Sequence, residues 1–131
     1  MTAEISVPVA PGELLDKITI LELKMERIRD LQKLRNVRTE MALLRAIVSR
    51  EIPDTAEIAK LTAELRGINA ELWDIEDKIR DCERAGDFGA TFVALARAVY
   101  RNNDRRAGVK RRINLALGST IVEEKSYAAS E

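Results

Sequence analysis

The stretch "IAKLTAELRGINAELWDIEDKIRDC", residues 58–82, carries apolar side chains at Ile58, Leu61, Leu65, Ile68, Leu72, Ile75, Ile79 and Cys82, three and four apart in strict alternation. A strand buries every second residue. A helix turning 100° per residue lines up this three-four spacing as one seam, so the stretch decides for a helix with a coiled-coil-like stripe. Asp54 with Glu57 three residues on forms a capping-box-like start, and Gly86 is a natural stop. At 1.5 Å per residue the rod between them is roughly 40 Å long, more than a compact domain of this size needs. An elongated shape is expected.

On the C-terminal side, Asp87 is placed to cap a further helix in which Phe92, Leu95, Val99, Asn102, Arg106, Val109 and Ile113 keep the same phase as far as Gly118. Because the phase survives Gly108, one unbroken helix is expected despite the roughly 1 kcal/mol that a mid-helix glycine costs, with a break at Asp104 as a new cap the alternative. Folding the two helices back on each other about Gly86 sets Ile68 opposite Asn102 and Leu65 opposite Arg106. Polar groups therefore enter the seam.

On the N-terminal side, Pro11 suits a first helical turn, and Leu14, Ile18, Leu21, Met25 and Ile28 predict a helix over about 11–34. A second stripe, Ile20, Leu23, Leu31 and Leu34, makes that helix apolar on two sides, as befits one placed between neighbours. Asn36 then closes one helix or caps the next, in which Val37, Met41, Leu44 and Val48 form a stripe ending near Glu51. The expected fold is all-α: an elongated antiparallel bundle of two helical hairpins in a single domain, 1–131. A short extended segment, 1–10, precedes it. A tail from about 119 follows, whose Ile121 and Val122 either lie on the bundle or pair with "EISVPV" near the start.

The 22 basic and 22 acidic side chains cancel, so any electrostatic recognition must be local. With no histidine and one cysteine, the usual zinc sets, Ser-His and Cys-His nucleophile pairs and an internal disulfide are excluded. No metal set and no cofactor motif stands out. The first residues lack the basic and long apolar regions of a signal peptide, and no apolar run approaches a membrane span, which points to the cytoplasm. Aromatic residues are 4% of the chain, too few for a base-stacking platform, which weighs against nucleic acid.

Four segments, "VPVAPGELLDKITILELK", "ELWDIEDKIR", "VYRNNDRRAGVKRRIN" and "GSTIVEEKSY", together resemble a family of short bacterial proteins classed as a domain of unknown function. The resemblance covers nearly the whole chain. It implies a helical protein whose gene lies among glycosyltransferase and surface-polysaccharide genes, and it implies no activity or cofactor.

Charge is unevenly spread. Residues 97–112 hold Arg97, Arg101, Arg105, Arg106, Lys110, Arg111 and Arg112 against Asp104, while 71–87 carry a net charge of minus four. Tyr100, Asn103, Lys110 and Asn114 fall near one helical face, with Asp104 and Arg111 at its margin. Together with Arg106, and with Glu13, Asp16 and Lys17 from the first helix, they make a candidate site for a phosphorylated or carboxylated small molecule. The plainer alternative is a helix face whose cations pair with Glu13, Asp16 and Glu22. Carboxylates three apart, Glu13 with Asp16 and Glu71 with Asp74, resemble those of helical nucleoside-triphosphate pyrophosphohydrolases. A chain this acidic supplies such pairs by chance, so they discriminate nothing. Trp73, beside the seam, reads as a packing or dimer-contact residue. The balance favours a non-catalytic interaction or scaffold protein, with the anionic-ligand site as the alternative. The two-sided first helix and over-long third one predict self-association as a homodimer.

Overall fold

The computed structural model describes residues 4–127 and contains four helices: α1 (Pro11–Arg27), α2 (Leu31–Glu51), α3 (Ala56–Ala85) and α4 (Ala90–Ala116). The fold is all-α, and α3 and α4 form the most extensive helix pair. Their seam draws on the expected residues, but the Arg105–Glu71 and Arg112–Glu64 pairs set the two helices about five residues off the expected pairing, so Arg106 stands level with about Ala70 instead of Leu65 and turns to Asp16 of α1. Ile58, Leu61, Leu65, Ile68, Ile75 and Cys82 of α3 are buried, as are Asn102, Val109 and Ile113 of α4. Leu65 and Ile113 lose all contact with solvent, and Leu15 of α1 completes the main cluster. α1 touches all three other helices. α2 lies against α1, and Val48, with Ile52 just beyond the helix, reaches the same cluster.

Helix ends account for most departures from expectation. The chain leaves α1 at Arg27, seven residues before Leu34, because Ile28 turns extended (φ −79°, ψ 138°) and Asp30 caps a new helix by accepting from the Lys33 backbone N–H. Asn36 lies inside α2. The second apolar stripe fails beyond this break, with Leu31 exposed at 75%. α1 nonetheless buries two sides, through Leu14, Ile18 and Leu21, and through Gly12, Asp16, Thr19 and Leu23. α3 is capped by Thr55 rather than Asp54 and ends at Gly86, whose left-handed φ of 67° favours glycine. Asp87 does not cap α4. Its carboxylate accepts from the Gly89 N–H within the connection, and Gly89 precedes the helix.

α4 passes through Gly108 without a break. Beyond it, Gly118 (φ 63°) lets the Ser119 N–H return to the Asn114 carbonyl. The alternative pairing of 121–122 with the N-terminal segment is absent, since no strand occurs among the described residues. Residues 1–3 of that segment and 128–131 of the tail lie outside them. Among the described residues no helix is long and apolar enough to cross a membrane.

Candidate functional site

α1 and α4 run antiparallel and very close together, and Gly12 is what permits it. A Cβ at Gly12 would stand 2.6 Å from the Lys110 carbonyl oxygen and 2.9 Å from Asn114 Oδ1. The first N–H groups of a helix need outside acceptors, and Ala10, at the N-cap of α1, has no side chain to serve. Asn114 supplies one from α4, accepting from the Gly12 N–H at 2.7 Å. One turn further on, Lys110 Nζ donates to Glu13 Oε2 at 2.7 Å and lies 3.6 Å from Glu123 of the tail.

The next turn holds the centre of the arrangement. Asp16 is 1% exposed, and its Oδ1 accepts from Arg106 Nε and from Asn69 Nδ2, each at 2.9 Å, while Oδ2 accepts from Arg106 Nη2. Asn69 also donates to Thr19 Oγ1 at 2.9 Å, and that hydroxyl donates to the Asp16 carbonyl at 2.8 Å. A forked guanidinium matched to both carboxylate oxygens is the strongest form of such a pair. The Asp16 carboxylate raises the Arg106 pKa above its ordinary value through these hydrogen bonds and the attraction of the two charges, against the opposing effect of burial. Arg106 therefore stays charged, and Asp16 is engaged through both oxygens and closed off from solvent. Asp16 has no face left for a substrate.

Five of the candidate residues, Glu13, Asp16, Arg106, Lys110 and Asn114, thus meet at the α1–α4 contact. The others do not converge. Tyr100 is half exposed and Lys17 is exposed, Arg111 pairs with Glu124 at 2.9 Å, and Asp104 lies 3.7 Å from Lys125. Asn103 is partly buried on the same helix. Of the three carboxylates considered as partners, Glu13 and Asp16 reach α4, whereas Glu22 faces Arg45 and Arg66. Asn69, Thr19 and Gly12 are participants that periodicity did not single out. Asn69 follows the seam residue Ile68, and a polar side chain one place off a seam was the available signal. No three acidic, cysteine or histidine side chains gather as a metal site among the described residues.

Open space lies elsewhere. A cleft of about 600 Å³ between α1, the end of α2 and the start of α3 is lined by Leu15, Val48, Ile52, Ile58 and Arg66, among others. Arg66 Nε is buried there without an acceptor among the described residues. A groove of about 530 Å³ runs between α3 and α4, lined by Lys78, Asp81, Cys82, Thr91, Ala94 and Leu95.

Among the described residues, fold and site together define four helices of which the first and last are locked by a two-pronged ion pair, its carboxylate buried and its guanidinium partly so. The chain belongs to the family of unknown function DUF6165, which matches residues 2–130. No curated protein and no solved structure matches it.

Proposed function

We propose that this is a helical interaction protein that acts through the outer surfaces of α3 and α4 and self-associates as a homodimer. The observation that supports this reading is the contrast between the lock and the hairpin. The charged groups at the α1–α4 contact are engaged inside the fold, whereas the α3–α4 hairpin leaves Phe88 (56% exposed) and Val93 (51%) in solvent. Its working place is the cytoplasm, in the setting of envelope polysaccharide synthesis that the family resemblance implies, with a protein partner there. Turnover is the sharpest test. Incubation with sugar nucleotides and phosphorylated sugars should leave them unchanged; conversion that disappears in a folded Lys110→Ala variant would make the protein an enzyme.

A ligand-binding reading is favoured by one different observation, a cleft of small-molecule size with mixed polar and apolar walls that include Arg66, whose Nε is buried without a hydrogen-bond acceptor while its guanidinium is ion-paired with Glu22 and Glu26. A thermal-shift screen separates the two. A compound held in that cleft at a hundred times its Kd should stabilise the fold by about 2.7 kcal/mol, and the shift should vanish in Arg66→Ala.

A further inference from the structure

Past its last helix the chain turns back along α4. After the reversal at Gly118, residues 119–127 form no helix or strand, and their order runs against that of α4. Glu123 lies 3.6 Å from Lys110 and Glu124 2.9 Å from Arg111, whereas Lys125, further along the tail, reaches Asp104 at 3.7 Å. Two acids and a base on the tail thus match two bases and an acid on the helix. At 100° per residue, Lys110, Ala107, Arg111 and Asp104 fall within about 120° of one another, so the tail follows a single strip of the helix surface.

Little else holds it there. Ile121 N–H donates to Ser119 Oγ, and beyond it no backbone group as far as Tyr127 makes a hydrogen bond among the described residues. Ile121 and Tyr127 are exposed, and Val122 is the one half-buried side chain of 121–127. Ion pairs this open to water each contribute little. A fastening made of them opens readily and can be exchanged for another segment with the same charge pattern. The strip also continues beyond the tail. Arg97 and Arg101 stand about 20° and 60° round α4 from Asp104, exposed and with no ion-pair partner among the described residues.

We propose that this strip of α4 docks an extended acidic segment of a partner protein, and that residues 119–127 are a strap that occupies it in the partner's absence. The incoming carboxylates take the places of Glu123 and Glu124 beside Lys110 and Arg111, then go on to Arg101 and Arg97, which the strap leaves unpaired. Tethered beside its site, the strap competes at an effective concentration on the order of millimolar. Those two further arginines give a partner the contacts with which to displace it. The inference rests on the reading of α4 as an interaction surface and names the chemistry of its partner.

The test is an NMR titration of the full chain that follows the backbone amides of α4 and the tail. The probe is a synthetic peptide of the strap's own sequence, residues 119–125, extended by three glutamates. In wild type it should bind weakly, and the amides of 119–127 should move toward free-chain positions as it does. Glu123→Gln with Glu124→Gln loosens the strap without adding positive charge and should tighten binding about tenfold or more. In that loosened chain, Arg97→Ala with Arg101→Ala, and separately Arg111→Ala, should each weaken it again; Lys110 is left intact because it also holds Glu13. Equal affinity for wild type and the loosened chain, or tail amides already at free-chain positions in wild type, overturns the strap. No binding to the loosened chain at millimolar peptide, or binding indifferent to all three arginine replacements, overturns the docking site. A tail that docks only as protein concentration rises gives the strip to the tail of a second copy and overturns the strap as drawn. None of these results touches the exposed Phe88 and Val93, so the proposal can fail while the broader interaction reading stands.

Discussion

Asp16 is the residue on which the α1 contacts converge. Removing it by Asp16→Ala takes the carboxylate acceptor from the partly exposed Arg106 guanidinium and from the Asn69 amide, which keeps only Thr19, and the loss in urea unfolding should be about 2–3 kcal/mol. Replacing both charges together, as Asp16→Leu with Arg106→Met, should recover much of that, since the charged pair carries its own desolvation cost. A single-site loss below about 1 kcal/mol, the range of an exposed pair, would mean that the network is not a lock. The pH dependence has a definite sign. A cation whose folded pKa is raised stabilises fully below its ordinary value and ceases to do so only as pH rises through the folded one, here beyond the arginine range. The stability gap between wild type and Arg106→Leu should therefore show no change arising from Arg106 itself between about pH 6 and 9. Gly12 makes a steric claim of its own. Gly12→Ala should destabilise by about 1–3 kcal/mol, because the nearest obstacle is backbone and not the end of a flexible side chain.

At the scale of the element, helices three and four were legible because their seams are long and regular, and a seam of eight positions tolerates a misplaced end. The break between α1 and α2 was hidden by the same kind of regularity. Ile28, Leu31 and Leu34 continue the apolar spacing across it, with no glycine or proline to mark the turn, and only Asp30 betrays a cap. The site was half legible for a related reason. That cations of the last helix could pair with Glu13 and Asp16 of the first was legible from charge as the alternative to a ligand site, but Asn69 joins Asp16 only because α1 packs across both α3 and α4, which one-dimensional spacing does not contain. The mid-helix glycines give a separate check on α3 and α4. A Cβ at Gly67 or Gly108 would meet nothing within 4 Å, so Gly67→Ala and Gly108→Ala should each raise the midpoint of thermal unfolding, by up to about 1 kcal/mol in stability. Destabilisation at either would mean that the helix is not regular there.

For the whole molecule, the lock joins residues far apart along the chain. Arg106 and Asp16 are separated by 90 positions, and Asn114 and Gly12 by 102, whereas α3 and α4 meet across a short connection at Gly86. Bringing distant segments together carries a larger loop-closure entropy than zipping a local hairpin. The order of assembly should follow: the α3–α4 hairpin forms early, and α1 arrives to a surface already holding Arg106 and Asn69 in place. In stopped-flow experiments, Asp16→Asn should then act chiefly on the unfolding rate and barely on refolding, while Leu65→Ala in the seam should slow refolding. Equal slowing of refolding by both would show α1 already docked in the transition state. Either way, the contact that closes the molecule in space is the one that spans most of its sequence, so a nascent chain cannot complete the fold until its last helix has been made.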